Sequence, residues 1–456
     1  MSRTEKDMLG EVLIDDDALY GIQSLRAKEN FPIVKRGMDE QFIRNICRVK
    51  KAAATVNREG GDLDKTKADA IIKACDLIIE KDYFKEFIVD LLQGGAGTSA
   101  NMNANEVIAN LAIIELGGKP GDYKLVHPID DVNKHQSTND VIPTAARMTV
   151  IDKCSTLLKT LAYLRENLLI KAEEFKDIKK IGRTQLQDAV PMKVGKQFRA
   201  YTSMLERAIT KIERSLQTMY TVNIGGTAIG SGINSTAYYR DNIIKVLSEV
   251  CGKQLKQFDD LYDGTQNADD FASVSSEIKV CALSLSKLAS DIRLLSSGPR
   301  AGIREIDLPD KQSGSSIMPG KINPVIPEAL NQAMFLVAGN DLTVTMAAEA
   351  GQFELNAFLP VLLFQLFEEI DVLNNSVLTF TDNCIKGITV FRDRCETNYE
   401  NNLSIATILN PLIGYDKASR LVKESLESGK TIFELAKERY GIEREEIERR
   451  LFPDDD

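Results

Sequence analysis

The sequence predicts a mainly α-helical protein built around a bundle of long helices. Over residues 271–297, apolar side chains recur at alternating spacings of four and three, which is the heptad pattern of a helix packed against other helices. A similar pattern covers residues 198–219 and ends before a glycine pair. A helix of about 27 residues is ~40 Å long. Short polar links rich in glycine join these segments, and a helix bundle carries ligand chemistry in its core or at such ends.

The order of these patterns along the chain predicts three domains. Residues 1–140 precede the long repeats and are expected to form a mostly helical N-terminal domain. Residues 141–392 are expected to form the central bundle. Further long helices are predicted there over these segments: 157–168, 329–344 and 358–373. The apolar pattern then shortens, so residues 393–456 are expected to form a small helical C-terminal domain.

Composition and charge exclude several classes of function. The 456 residues carry a formal net charge of −10, which argues against binding to nucleic acid or an anionic membrane, because both need a basic surface. No segment approaches the ~18 apolar residues of a membrane span, and the first residues lack the apolar core of a secretory signal. Seven dispersed cysteines without a CxxC pair are typical of reduced thiols, so a cytoplasmic location is expected. With two histidines, no multi-histidine metal site is expected.

The strongest local signal is the loop of residues 314–324, which leads into Glu328. Two glycines and two prolines fix an irregular backbone, while serine, lysine and asparagine offer hydroxyl groups, a cation and an amide. Such a loop can hold a carboxylate, although a generic serine-rich loop is more often a surface connection with a helix cap. Other distinctive links cover these segments: 18–23, 97–106, 136–140, 182–188, 225–228 and 410–414.

The loop resembles the signature GSSxMPxKxNPxxxE of the fumarase/aspartase superfamily and matches it at every defined position. The other links match the superfamily in the expected order, so the resemblance spans almost the whole chain. It implies three mostly helical domains, a central five-helix bundle and a homotetramer with a twenty-helix core. It also implies active sites assembled from loops of three subunits. Links at opposite ends of ~40 Å rods cannot all meet within one monomer, which independently favours an oligomer.

The likeness is strongest to the branch of the superfamily that converts L-aspartate reversibly to fumarate and ammonium. The resemblance implies that Ser315 removes the Cβ proton and that the neighbouring carboxylate becomes an aci-carboxylate dianion. Preorganised donors stabilise such charge and are each worth about 10²–10³ in rate. The resemblance assigns this role to four hydroxyl groups: Thr98, Ser137, Thr138 and Ser316. It assigns the amino group to Asn139, Thr184 and Gln185, and the α-carboxylate to Lys321 and Asn323.

The donors are expected on non-helical backbone, within the links 94–105 and 137–139. Any one of their hydroxyl groups, taken alone, is more often a helix N-cap than a ligand. Ser315 is a poor base unless its alkoxide is stabilised, so its loop must close, exclude water and bring a cation near it. Gly314 and Gly320 are the expected hinges.

Gln185 separates the two main alternatives. The resemblance places histidine there in fumarases, paired with the glutamate matched by Glu328, to handle the oxygen leaving group. Glutamine cannot shuttle a proton, whereas ammonium leaves already protonated and needs only to be held. Deamination is therefore favoured, with fumarate hydratase as the alternative. A catalytically silent structural relative is a further alternative, and its mark would be loss of Ser315, Lys321 or the threonine donors, all of which are present.

No organic cofactor is expected, because every charge that the reaction develops has a proposed protein partner. The resemblance leaves activation by a divalent cation open. At residues 127–133, Ile129 departs from the asparagine typical of the superfamily. This departure argues against a second, accessory carboxylate site in that segment, though not against the main site.

Overall fold

The computed structural model describes residues 2–453, and helices dominate it. The strands are β1 (Ser2–Asp7), β2 (Gly10–Asp15), β3 (Lys179–Thr184), β4 (Gln187–Lys193), β5 (Thr221–Val222), β6 (Lys256–Gln257), β7 (Ile306–Asp307) and β8 (Thr389–Val390). The α-helices are α1 (Ile22–Asn30), α2 (Glu40–Glu59), α3 (Lys65–Glu80), α4 (Thr98–Glu115), α5 (Thr138–Glu174), α6 (Val194–Leu216), α7 (Ala237–Cys251), α8 (Leu261–Gln266), α9 (Asp269–Leu295), α10 (Val325–Glu349), α11 (Leu359–Asn383), α12 (Arg392–Glu400), α13 (Ala406–Ile413), α14 (Tyr415–Ser428), α15 (Ile432–Tyr440) and α16 (Arg444–Leu451). The pairs β1–β2, β3–β4 and β7–β8 are antiparallel and β5–β6 is parallel. The predicted mainly α-helical class is confirmed.

Five long helices account for the predicted bundle: α5, α6, α9, α10 and α11. The heptad prediction is confirmed by α9, in which Ile278, Leu285 and Ile292 are fully buried at positions of the repeat. α6 buries Phe198 and Leu205 in the same way. No helix within residues 2–453 is long and apolar enough to cross a membrane.

The described residues group into two compact units. The first unit comprises Met1–Leu158, Thr210–Ala282 and Phe335–Leu373. The second unit comprises Lys159–Ile209, Leu283–Met334 and Asn374–Asp456. Each of the five long helices contributes a segment to both units. The three-domain division with boundaries at residues 140 and 392 stays a prediction.

In the first unit, α2 packs against α3 and α7. The apolar face of α2 includes Ile46 and Val49, which are fully buried, and Asp39 caps the helix with its side chain. Two buried polar side chains of the same helix, Lys50 and Asn57, donate hydrogen bonds to the segment 133–135. α2 therefore fixes the polar segment that precedes α5.

In the second unit, an apolar cluster that includes Tyr399 and Leu409 forms the core of the C-terminal helices, and α12 packs on β3. Glu305 is 1% exposed and binds Lys180 and Arg183 of β3, each at 2.7 Å. Burial acts to raise the pKa of Glu305, but the hydrogen bonds and charges of the two cations lower it overall. These ion pairs anchor the strand that leads to the predicted residues 184–185.

A buried carboxyl group lies among the long helices of the first unit. Glu369 on α11 is fully buried, and neither of its carboxyl oxygens has a hydrogen-bond partner of normal geometry within residues 2–453. Asp341 on α10 accepts hydrogen bonds from Ser275 at 3.0 Å and Lys279 at 2.6 Å, both on α9. Burial raises the pKa of Glu369 well above its ordinary value; the Asp341 charge acts in the same direction, and Ser275 and Lys279 act against it. The neutral acid is therefore favoured.

Glu369→Gln is expected to raise the thermal midpoint by a few degrees more at about pH 8 than at about pH 5. An unfolded glutamate ionises near 4.5, while folded Glu369 keeps its proton to higher pH. Stability linked to this group is therefore fully present below that value and is lost as the pH rises through the raised pKa. Glutamine does not ionise and escapes the loss. Thermal unfolding of the variant, with exposed Glu349→Gln as control, measures the difference, and an equal gain at both pH values would contradict it.

Candidate active site

The ten predicted site residues divide between the two units. The first unit contains Thr98, Ser137, Thr138 and Asn139. The second unit contains Thr184, Gln185, Ser315, Ser316, Lys321 and Asn323. All ten side chains are exposed or partly exposed. Each is therefore accessible to a small ligand.

Thr98 is the first residue of α4, and it is exposed. The preceding Gly97 has a left-handed φ of 95°, and a Cβ at this position would lie 3.1 Å from the side chain of Ile142 on α5. α4 therefore starts directly against the first turns of α5. The Thr98 hydroxyl donates to the carbonyl of Gly95 at 2.7 Å. The expectation of non-helical backbone over residues 94–105 is wrong from Thr98 onward, because the helix begins there.

Ser137 immediately precedes α5 and caps it. The Ser137 Oγ accepts a hydrogen bond from the backbone N–H of Asn139 at 3.2 Å, and the Ser137 N–H donates to the Asp140 carboxylate at 2.9 Å. This reciprocal pattern resembles a capping box, except that the cap hydroxyl accepts from the second rather than the third helical N–H, and it starts a helix. The expected non-helical backbone over 137–139 is thus wrong for Thr138 and Asn139, which form the first turn of α5.

A side-chain hydrogen bond joins the starts of α4 and α5. Asn101 on α4 donates to the Thr138 Oγ1 at 3.2 Å and to the Asn133 Oδ1 at 3.1 Å. The first turn of a helix has free backbone N–H groups and the positive end of the helix dipole. The hydroxyl groups of Thr98, Ser137 and Thr138 therefore lie where partial positive charge favours a carboxylate.

Asn139 is held by residues that sequence patterns alone did not assign to the site. In a regular helix the Asn139 carbonyl would accept from the N–H of the residue four positions later, but this is Pro143, which has no N–H. The buried Asn223 instead donates to that carbonyl at 2.9 Å. The Asn139 amide in turn donates to the carbonyl of Ala228 at 2.7 Å. Pro143 was the one available signal that Asn139 needs an outside donor.

Thr184 and Gln185 lie at the tip of the hairpin β3–β4, where sequence analysis predicted a simple link. Thr184 pairs with Gln187, and the turn between them consists of Gln185 and Leu186 with φ values of 54° and 62°. Two successive left-handed residues are typical of a type I′ turn. Gln185 is exposed and lines a cavity of about 350 Å³ within the second unit. The two-residue turn of the hairpin β3–β4 therefore holds the Gln185 side chain at the surface.

Residues 313–323 form an irregular loop before α10, and the predicted base lies in it. The Ser315 Oγ accepts hydrogen bonds from the backbone N–H groups of Ile317 at 3.2 Å and Met318 at 3.0 Å. Hydrogen bonds donated to an oxygen stabilise negative charge on it. Ser315 is partly buried, whereas Ser316 and Lys321 are exposed. The loop thus supplies a hydroxyl whose alkoxide has two donors.

Gly314 and Asn323 close the neck of this loop. The Asn323 amide donates to the Gly314 carbonyl at 3.0 Å, and a Cβ on Gly314 would collide with the carbonyl oxygen of Lys321. Gly320, with a φ of 78°, has open space around it. Asn323 lines a cavity of about 90 Å³, which shares no lining residue with the cavity at Gln185. The role of the two glycines as hinges stays a prediction.

Glu328 lies in the first turn of α10. Its Oε1 is 3.8 Å from the guanidinium of Arg293 on α9. A guanidinium is charged at all accessible pH values and does not exchange protons as imidazole does. Glu328 therefore has a neighbour that supports its negative charge.

The absence of an accessory carboxylate site in the segment that contains Ile129 stays a prediction. Ile129 is 51% exposed, and its backbone N–H donates to the ring of His127 at 3.3 Å. Within the part of the chain that the structure describes, no group of three or more His, Cys, Asp or Glu side chains is arranged to hold a metal ion.

Comparison with known sequences assigns the family. A family model described as "Lyase" matches residues 10–339, and one described as "Fumarase C C-terminus" matches residues 405–455. The chain is 46% identical over 451 residues to an aspartate ammonia-lyase of Bacillus subtilis, covering 99% of this chain and 95% of the relative. It is 45% identical over 448 residues to an aspartate ammonia-lyase of Helicobacter pylori, covering 98% and 96%. The chain belongs to the fumarase/aspartase superfamily.

Solved structures of this superfamily share the fold. A Brucella melitensis protein described as fumarate lyase:delta crystallin bound to cobalt has a TM-score of 0.96 and 44% identity, covering 99% of both chains. A class II fumarase from Schistosoma mansoni has a TM-score of 0.93 and 32% identity, covering 99% of this chain and 98% of the fumarase. The predicted superfamily fold is therefore confirmed, and with the relatives above the chain is a carbon–nitrogen lyase. Because a fumarase has the same fold, the choice of leaving group depends on side chains.

Proposed function

We propose that this lyase converts L-aspartate reversibly to fumarate and ammonia, with Ser315 as the base. The relatives of nearly equal length are aspartate ammonia-lyases at 45–46% identity. The observation that carries the proposal is the Ser315 Oγ, which accepts two backbone hydrogen bonds in the same loop as Lys321. A hydroxyl supported in this way suits proton abstraction once the loop excludes water.

In the proposed reaction, the Ser315 oxygen takes the proton from Cβ of aspartate. The electron pair of the broken C–H bond moves into the adjacent carboxylate, which becomes an aci-carboxylate dianion. Hydrogen-bond donors that are already in place stabilise this charge better than reorganising water does. Four hydroxyl groups take this role: Thr98, Ser137, Thr138 and Ser316. The dianion then collapses, the Cα–N bond breaks, and fumarate and ammonia result.

The other groups hold the two ends of the substrate. Asn139, Thr184 and Gln185 hold the amino group of the substrate, which is already protonated, so it leaves as neutral ammonia and needs no acid at Gln185. Lys321 and Asn323 hold the α-carboxylate, and Lys321 supplies positive charge to a site in an acidic chain. The assignment of a glutamine rather than an acid to the leaving group favours deamination over dehydration.

The active enzyme is proposed to be a cytoplasmic homotetramer with a twenty-helix core and sites shared among three subunits. α10 supports this assembly, because Phe335, Leu342 and Met346 are 66%, 61% and 64% exposed and lie seven and four residues apart. Such an apolar stripe on one helix face is typical of an interface. The proposed site residues lie on two helix starts, a hairpin tip and a loop, and copies of the chain are proposed to bring them together.

Purified protein is expected to produce fumarate from L-aspartate and at least about 100-fold less from L-malate. The hydroxyl group of malate needs a proton in order to leave, and the amide of Gln185 cannot supply it. The initial rate of fumarate formation, followed by its absorbance, is measured with L-aspartate and with L-malate in the same buffer. Product from malate alone would overturn the proposal in favour of a fumarate hydratase. No product from either substrate would indicate a catalytically silent relative.

A further inference from the structure

We propose that Asp140 is a positioning residue for the lyase reaction and that Lys50 is its buried countercharge. This inference rests on the proposed function, because the groups that Asp140 positions are the substrate donors named there. Asp140 does not touch the substrate in this scheme. It acts through the start of α5 and through the segment of residues 225–228.

Asp140 ties two separate segments of the first unit together. Its Oδ1 accepts a hydrogen bond from the backbone N–H of Ser137 at 2.9 Å. Its Oδ2 accepts from the backbone N–H groups of Gly225 at 3.1 Å and Thr227 at 3.0 Å. Asp140 is fully buried, so water does not compete for these bonds. One carboxylate therefore fixes both the cap of α5 and a distant turn.

The turn held by Asp140 also orients a substrate-binding side chain. The carbonyl of Ala228 accepts a hydrogen bond from the Asn139 amide at 2.7 Å. Thr227 has a left-handed φ of 54°, an outlier for a β-branched residue, and its buried hydroxyl has no partner within residues 2–453. Strained backbone of this kind persists only where surrounding contacts hold it. The hydrogen bond that the Thr227 N–H donates to the Asp140 carboxylate is such a contact.

Lys50 on α2 supplies the opposing charge and supports the same donors from another direction. Lys50 is fully buried, and its Nζ donates to the Asn133 Oδ1 at 2.8 Å. That oxygen also accepts from Asn101, which donates to the Thr138 hydroxyl. A buried charge is strongly unfavourable unless an opposite charge is near. Lys50 and Asp140 form no ion pair within 4 Å in the described residues, so each charge offsets the burial of the other at longer range.

The charge states of this pair give the inference a measurable signature. Burial raises the pKa of Asp140 to about 6 against hydrogen bonds and the Lys50 charge, and burial lowers the pKa of Lys50 to about 7 against the Asp140 charge. Tyr239 on α7 also faces Asp140, and Cys47 and Cys75 face Lys50. Asp140 must be ionised to accept all three N–H groups, so activity that depends on it falls as the pH drops through about 6.

Asp140→Asn in the full-length enzyme is expected to lower kcat for L-aspartate about 100-fold with little change in KM, because the displaced donors act in the transition state. The asparagine amide has one acceptor oxygen and one NH2 donor in place of the two carboxylate oxygens. At least one of the N–H groups of Ser137, Gly225 and Thr227 therefore faces a donor instead of an acceptor. Glu106→Gln is the matched control, since Glu106 is 2% exposed and accepts from the N–H groups of Gly21 and Gln23. The control is expected to lose stability while its kcat per folded enzyme stays near wild type.

Lys50→Met provides a second test that holds even where Asp140→Asn does not fold. Without the positive charge of Lys50, Asp140 keeps its proton to higher pH. The acid limb of the plot of kcat against pH is therefore expected to move up by about one pH unit. Lys51→Met, one residue further on α2, is expected to leave that limb in place. A kcat loss in Asp140→Asn no larger than in Glu106→Gln, or an unmoved acid limb in Lys50→Met, would overturn the inference. An inactive wild-type enzyme would instead overturn the proposed function.

Discussion

The Ser315→Ala variant is expected to lower kcat for aspartate deamination by about 10²–10⁴-fold, the usual contribution of a general base. Alanine has no oxygen to receive the Cβ proton, and the N–H groups of Ile317 and Met318 lose the acceptor that they share. KM is expected to change little, because Ser315 has no part in the proposed binding of either carboxylate. Initial rates of fumarate formation over a range of aspartate concentrations measure both constants.

Stability and assembly separate this effect from misfolding. Ser315 lies in a partly exposed loop rather than in a core, so the variant is expected to keep its thermal midpoint and its oligomeric state. Ser313→Ala is a matched control, since Ser313 is an exposed serine in the same loop with no proposed role. Near-normal turnover in Ser315→Ala would reassign the base to another group.

The long helices were predictable because burial imposes a repeat on the sequence. In α9, Ile278, Leu285 and Ile292 recur every seven residues because one face packs inward, and this periodicity located the helix to within two residues at each end. The hairpin β3–β4 left no such trace. Its turn uses Gln185 and Leu186 at positive φ, where Asn-Gly would have been a recognisable signal.

The site residues could be named from sequence motifs. The residues that hydrogen-bond to them and hold them in place could not, because those contacts form only in the folded chain. The starts of α4 and α5 are polar, so apolar periodicity gave no warning that Thr98 and Thr138 are helical. The serine and aspartate of the α5 cap, three residues apart, were an available signal. Asn223 lies 84 positions from Asn139, and no local pattern predicts such a contact. A partner of this kind is fixed only by tertiary packing.

Lys321 tests how the proposed site binds an anion in a protein of net charge −10. It is exposed and forms no ion pair within residues 2–453, so its charge is not committed to a carboxylate of the described structure. A hydrogen bond to a charged group contributes ~1.5–3 kcal/mol, which corresponds to about 10- to 150-fold in affinity. The Lys321→Met variant keeps the length and apolar stem of the side chain but lacks the charge. It is therefore expected to raise KM for L-aspartate by that factor.

The balance between kcat and KM decides what Lys321 does. If it holds the α-carboxylate equally in the ground state and the transition state, KM rises while kcat at saturating aspartate changes much less. Lys311→Met, an exposed lysine ahead of the same loop, controls for the loss of one positive charge. Lys321→Arg keeps the charge but replaces a point donor by a planar one, so partial recovery of KM is expected. A fall in kcat at unchanged KM would instead mean that Lys321 acts on the Ser315 alkoxide or on the aci-carboxylate.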